Sequence, residues 1–570
     1  MRGFEKDFLI VVFVVLQCTA KAATYYVATN GVDANAGATT NAPWRTIQHA
    51  ADSLVPGDTV FVRGGIYNER VTFNVSGNLN HSLTFQNYPG ETPIVDGAGL
   101  PIPQLAYATG LLEFTSGSYI TVQGFEIRNY QTNSAASVPA GIDITGAPHD
   151  LTFISNRIHN IANLNTSTSA NAYGIAVHGT SAQSISNLVF RGNEIYSNIL
   201  GQSETFSLDG NCSGFEISSN RVHDNNNIGI GFIGWENVCS DPNQDFARNG
   251  VCRGNLVWNN SDISNPTYTS HYSSDGIYSD GGSNVVIELN QIHNCDIGVE
   301  MTSEHKGHAA YACVCRDNLI WSNNTTGVSI GGYSASVGRT INCTVIHNTL
   351  YHNDTQQSGT GEMELQWAPV SNSITHNIFV ANSQNLFIGN QYTQSTNNVF
   401  DWNLYYSPGG TDGSSWEWKK TSYSSFSTWK SATTNDAHSV FAGPLFINPA
   451  NGNFHLSTNS PAVNAGDTNF TAVTGETDID LQPRIAGGRT DLGADELNVL
   501  TATLGISPSG NGQVQLSLAG EPGHPFVWEQ SATLAVWVPF LTNYSNAVGG
   551  LQITNSIALG EQFFRARMTQ

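Results

Sequence analysis

Apolar and polar positions alternate along the middle of the chain in short runs, each meeting a corner that opens with asparagine. Eight segments share this pattern: NRIHN from Asn156, NEIYSN from Asn193, NRVHDN from Asn220, NLVWNN from Asn255, NQIHN from Asn290, NLIWSN from Asn318, NTLYHN from Asn348 and NIFVAN from Asn377. A second run follows in most repeats: GIDIT, GIAVH, TFSLD, GIGFI, GIYSD, GVEMT, GVSIG and NLFIG. Its second and fourth residues are mostly large and apolar and point inward, so its third and fifth face solvent. The leading asparagines recur every 27–37 residues. No single repeat buries its own apolar face, so stacking must supply the core. Asparagine tolerates left-handed backbone, which predicts that it takes the left-handed position at each corner and stacks on the next. These features predict an all-β chain built as a parallel β-solenoid. A β-sandwich would need hairpin turns every ~8–12 residues, and they are missing.

Composition narrows the function. Of the 570 residues only 12% are charged, against about a quarter in ordinary soluble domains. Lys and Arg number 22 against 45 Asp and Glu, a net charge of −23. That balance argues against nucleic acid and anionic membrane surfaces as partners, and a polyanionic substrate would need cations as intermediaries. The N-terminus, MRGFEKD, then FLIVVFVVL, then QCTAKA, has the form of a secretory leader cleaved after Ala22 or Ala23. Its apolar run is too short to span a bilayer, and no later stretch qualifies. The expected product is a monomer, secreted or periplasmic. Seven cysteines follow: Cys212, Cys239, Cys252, Cys295, Cys313, Cys315 and Cys343. Cys239 and Cys252 bracket a polar loop and are expected to form a disulfide in an oxidising compartment. Cys313 and Cys343 share an inward column, within disulfide reach or as small apolar filler.

The chain divides into a leader (1–23), an N-terminal cap and first coils with a short helix near Thr46–Leu54 (24–110), and the main solenoid (111–410). A Trp/Ser-rich insertion with Trp416, Trp418 and Trp429 and a closing segment follow (411–497), then a small β-sandwich (498–570).

Stacking the second runs aligns their outward residues. The third positions are Asp143, Ala176, Ser207, Gly231, Tyr278, Glu300 and Ser329. The fifth are Thr145, His178, Asp209, Ile233, Asp280, Thr302 and Gly331. Acidic groups gather at Asp209, Asp280 and Glu300, with Asp275 at the turn entering the Asp280 strand. The segment MTSEHKGH adds Glu304, His305, Lys306 and His308. Asp280 and Glu300 lie in adjacent coils, offset by two residues. Such a diagonal separates β-carbons by about 7 Å, which suits the paired carboxyls of a glycosidase. Two close carboxyls beside Tyr278 split their proton affinities, one acting as acid and the other as nucleophile or base. Asp209, Asp275, Tyr278, Glu304, His305, Lys306 and His178 are the expected substrate contacts. Trp235, Trp321 and Trp367 are candidates for stacking on sugars.

The opening YYVATNGVDANAGATTNAPWRTIQHAADSLVPGDTVFVRGGIYNE from Tyr25 resembles secreted pectate-lyase-like β-helix proteins, including polysaccharide lyase family 9 relatives. PLFINPANGNFHLSTNSPAVNAGD with DLGADE, between Pro444 and Glu496, is similar to the closing segment of the same proteins. The resemblance implies a right-handed solenoid and a poly- or oligosaccharide partner. DGIYSDGGSNVVIELNQIHNCDIGVEMTSEHKG, Asp275 to Gly307, resembles the segment with the catalytic carboxylates in β-helical xylosidases of glycoside hydrolase family 120. That likeness implies catalytic roles for Asp280 and Glu300. Resemblance to the lyases implies instead a Ca²⁺ site, for which Asp209, Asp275 and Asp280 are the candidates, and a lysine base. The lyase pattern D-D-G-x-x-D is met only by Ser274-Asp275-Gly276; Glu300 stands at the lysine's place, and Lys306 is the nearby substitute. A Ca²⁺-dependent lyase is therefore the alternative to a hydrolase, and a glycan-binding protein without turnover is the third.

Overall fold

The computed structural model describes residues 22–268, 271–497, 503–510, 513–519, 525–545, 550–556 and 562–568. The chain forms two compact units, one ending at Glu496 and one beginning at Leu497. The leader expected over 1–23 lies outside the described residues apart from its last two. No helix among the described residues is long and apolar enough to cross a membrane.

The larger unit is a parallel β-helix of three 13-stranded sheets, each coil giving one strand to each sheet. The asparagine corners join the first sheet to the third, and the second runs form the sheet between. The first sheet was not visible as a separate element in the sequence pattern. Its strands, such as Val286–Glu288 and Thr344–Ile346, end just before each corner asparagine. The inward columns hold Ile277, Val299, Met301, Val328 and Ile330, all without exposure. The other positions of the same strands, among them Tyr278, Asp280, Glu300 and Ser329, are buried as well rather than facing solvent as expected, because loops and neighbouring side chains cover the outer face of the middle sheet.

The corner asparagines are buried and join one another through side-chain amides. Asn220 Nδ2 donates to Asn255 Oδ1 at 3.0 Å, Asn255 to Asn290 at 2.9 Å and Asn290 to Asn318 at 3.0 Å. The left-handed residue is not the asparagine but the one before it: Ser155 (φ 53), Leu289 (φ 58), Asp317 (φ 54) and His376 (φ 59). Asparagine is required at the corner because its amide acts as a peptide-like donor and acceptor inside the wall.

Thr46 caps the helix Ile47–Ser53, accepting from His49 N at 3.1 Å, and Ile47, Ala50 and Ala51 join the core. At the other end, Ser415 and Trp416 still pair in parallel with the preceding coil, and the helix Phe426–Thr433 follows. Trp416 and Trp429 are fully buried, and Trp429 Nε1 donates to Asp436 Oδ2 at 2.7 Å. The Trp-rich stretch thus closes the apolar end of the coil stack. All seven cysteines in the described residues are buried and free. The disulfide expected between Cys239 and Cys252 does not form: Cys239 Sγ donates to Ser181 O, whereas Cys252 is a core residue whose Sγ meets Asn255 Nδ2.

Among the described residues, the smaller unit has two three-stranded antiparallel sheets. Val514, Leu516 and Leu518 of one sheet form a common core with Phe526 and Trp528 of the other, as in a small β-sandwich.

Candidate active site

The site lies on the outward face of the middle sheet. Register pairs Tyr278 with Glu300, Glu300 with Ser329, and Asp280 with Thr302. The expected diagonal between Asp280 and Glu300 is present. Ser329 pairs in turn with Glu364 of the strand Met363–Leu365, whose EMELQ run extends the outward column to Gln366.

Glu300 is buried. Ser329 Oγ donates to its Oε1 at 2.8 Å and Gln366 Nε2 donates to the same oxygen at 3.0 Å. Burial pushes the Glu300 carboxyl up to about 8; the Ser329 bond opposes this, and Glu364 and Glu304 add to it. Both bonds fall on Oε1, which leaves Oε2 to carry the proton. Asp280 ends its strand, also buried, and its Oδ1 accepts from the Glu304 backbone N–H at 2.7 Å. Burial and the charge of Glu304 hold its carboxyl well above the ordinary range as well, so both carboxyls are raised and the expected split between them is not seen, burial acting on the two alike. Gly281 follows with φ +71, and a Cβ there would lie 2.5 Å from Trp235 Cδ1. The left-handed glycine lets the chain turn away under Trp235 immediately after the carboxyl.

Tyr278 Oη donates to Glu304 Oε1 at 3.1 Å. His305 Nε2 lies 2.9 Å from Glu236 Oε1. Lys306 is exposed on the same loop. His308 stacks on Trp235 at 3.9 Å, so Trp235 is a wall of the site. Trp321 lies on another sheet, covered by Phe454 of the closing segment, and is not a sugar platform. Trp367 meets Tyr392 edge-on at 5.8 Å.

Asp275 is the first residue of its strand rather than part of the preceding turn. It is buried, Oδ1 has no hydrogen-bond partner, and burial with the Glu300 charge raises its carboxyl. His178 and Asp209 are paired in register, and His178 lies three coil steps from Asp280. Sequence reasoning missed Glu204, Glu236 and Gln366. Glu204 stands just before the run TFSLD, Glu236 lies in an irregular loop, and Gln366 belongs to the overlooked strand.

The calcium set fails on geometry. Asp275 and Asp280 stand at opposite ends of one strand, roughly 16 Å apart at the rise of an extended chain, and Asp209 lies two coil steps back. Among the described residues, Asp280 shares a donor group with Glu236 and His305 instead. An imidazole in the set does not suit Ca²⁺, which takes oxygen ligands.

A family model described as "Pel9A-like, right handed beta helix region" matches residues 25–241. The Bacillus subtilis (strain 168) protein YwoF, itself described as uncharacterized, is 38% identical over 437 residues, covering 77% of this chain and 91% of YwoF. The chain belongs to the YwoF family. This YwoF-family chain is also 37% identical to pectate lyase PEL9 of Emericella nidulans over 92 residues, 16% of the chain and 22% of that enzyme. The solved complex of XylC with xylose aligns at a TM-score of 0.43 and 12% identity, over 95% of the chain and all of XylC (100%). The solenoid is a right-handed parallel β-helix with pectate-lyase-like relatives. The Pel9A-like match ends before Asp275, so it includes Glu204, Asp209 and Glu236 but neither Asp280 nor Glu300.

Proposed function

We propose that the chain is a secreted, monomeric glycoside hydrolase, with Glu300 as general acid/base and Asp280 as nucleophile or base. The observation that carries this reading is Glu300: a buried carboxyl, held by two donors on one oxygen and with its proton affinity raised by burial, one coil from a second buried carboxyl. Proton donation to a glycosidic oxygen needs such a group; the partner carboxyl, which burial and Glu304 bias toward its protonated form, must be ionised in the reacting complex to stabilise or attack the developing oxocarbenium carbon. Tyr278, Glu304 and His305 line the cleft around Asp280, with Asp275 and Asp209 flanking and Lys306 and His178 at its margins. The acidic lining favours substrates without carboxylates.

A polysaccharide panel tests the reaction class. Reducing ends are expected without growth of absorbance near 235 nm, at a rate unchanged by chelator. Rising absorbance restored by Ca²⁺ would instead support the lyase reading, which the Pel9A-like match favours. Silence across neutral and acidic glycans would support a binding protein.

The proton on Glu300 also sets a pH signature. Activity is expected below the raised value and to fall as pH climbs through about 8. Ser329→Ala removes a donor that favours the ionised form, so the alkaline limb is expected to move to higher pH. An unmoved limb in the kcat/KM profile would remove Glu300 from the acid role.

A further inference from the structure

A distinct cleft of about 340 Å³ is lined among others by Tyr107, Tyr173, His178, Glu204, Asp209 and Glu236, with no lysine or arginine; Ile233, which also lines it, is the register partner of Asp280. Asp209 and His178 are both more than nine-tenths buried, yet Asp209 Oδ1 has no hydrogen-bond partner, and His178 Nδ1 has only Asp143 Oδ1 nearby, at an ion-pair distance of 3.8 Å rather than a hydrogen bond. Buried carboxyls are ordinarily satisfied by cations or several donors. Here burial and then the charges of Glu204, Glu236 and Asp245 push up the Asp209 carboxyl. Asp245 is already engaged by the backbone N–H groups of Asn237, Val238 and Cys239. The requirement left open is for a cation bearing hydrogen-bond donors that arrives from outside. Among the described residues, Glu236 belongs to a possible metal donor group with Asp280 and His305, whereas Glu204 and Asp209 do not share one, so a compact ion would leave Glu204 and Asp209 unmet. An organic cation that reaches several carboxyls does. Tyr107 stacks on His178 at 5.0 Å, and Tyr173 meets the same imidazole edge-on at 5.6 Å. This gives the acidic cleft an aromatic side of the kind on which sugar rings rest.

We propose that this cleft binds a sugar carrying a free ammonium group, and that the glycan handled by the neighbouring carboxyl pair contains unsubstituted amino sugars. The second half rests on the hydrolytic reading; the ammonium preference is a property of the cleft itself.

The test is calorimetric titration of the full-length Glu300→Gln protein at low ionic strength. The probes are a glucosamine tetramer, its N-acetylated counterpart and a galacturonate tetramer. The free amine is expected to bind at least about tenfold more tightly than the acetamide, a difference of ~1.4 kcal/mol, with the uronate weakest. Asp209→Asn and Glu204→Gln, each added to that background, are expected to erase the ratio by weakening the free amine more than the acetamide. Glu204 precedes the strand, so its variant tests the cleft even if the Asp209 change perturbs folding. Equal affinities, a ratio indifferent to both substitutions, or no binding by any probe would overturn the proposal. Failure of the hydrolytic reading appears separately, as turnover retained by Glu300→Gln, and leaves the affinity ratio measurable.

Discussion

Glu300→Gln is expected to lower kcat on a natural glycan by about 10²–10⁴-fold, the range by which a positioned acid assists such a step. The substitution keeps the shape of the side chain and the space around it, so a melting temperature near wild type should accompany the loss. Asp280→Asn should cost at least as much, because it removes the group that meets the sugar's developing positive charge. The two variants are separated by leaving group. An aryl glycoside with an acidic phenol needs no proton to depart, so Glu300→Gln should recover much of its rate on such a substrate while Asp280→Asn should not. The double variant should be little worse than the poorer single one, since groups acting as a unit are not additive. Full activity of both single variants on the natural glycan would remove the pair from the chemistry. The stereochemistry of the product carries further information. A retained anomer implies carboxyls ~5–5.5 Å apart and Asp280 as nucleophile; an inverted one implies room for water between them.

Much of this arrangement was legible in the sequence because a solenoid is nearly one-dimensional. Once GIYSD and GVEMT are recognised as neighbouring strands, the facing of Tyr278, Asp280 and Glu300 follows from alternation alone. Register bears this out, with Tyr278 beside Glu300 and Asp280 beside Thr302. What escaped lies where the period breaks. Glu236 sits on a loop shaped by the Asp245 carboxylate, a tertiary contact with no periodic trace. Gln366 sits in a coil whose EMELQ run lacks the usual leading glycine-apolar pair, although Met363 and Leu365 alternate correctly and are buried. The calcium expectation failed for a related reason. Asp275 and Asp280, only five residues apart in sequence, are separated in space because they stand at the ends of one extended strand, and Asp209 belongs to a coil two steps away. The corner asparagines show the same limit. Their recurrence was plain, but which residue takes the left-handed turn depends on backbone geometry that the repeat does not encode.

The asparagine ladder carries the largest stability effect. Asn255 Nδ2 donates to Ile217 O at 3.0 Å and to Asn290 Oδ1 at 2.9 Å, while its Oδ1 accepts from Asn220 N at 2.9 Å and Asn220 Nδ2 at 3.0 Å. All of these groups are buried in the wall, out of reach of water. Asn255→Ala would strip partners from three neighbouring residues at once, and each buried polar group left unmet costs about 1–3 kcal/mol. A loss on the order of 4 kcal/mol is expected from denaturant unfolding. Because each coil is supported only by its neighbours, protease nicking should concentrate in the coils beside the break. Leu289→Gly is the contrasting substitution at the same kind of corner. Leu289 is the left-handed residue there, with φ 58, and glycine relieves a side-chain conflict worth roughly 1–2 kcal/mol. The change should be neutral or stabilising, as suits a position filled naturally by Gly192 and Gly254 in other coils. If both substitutions destabilise equally, the corner depends on packing alone. If only Asn255→Ala does, the ladder of amides holds the coils in register, and with them the spacing between Asp280 and Glu300.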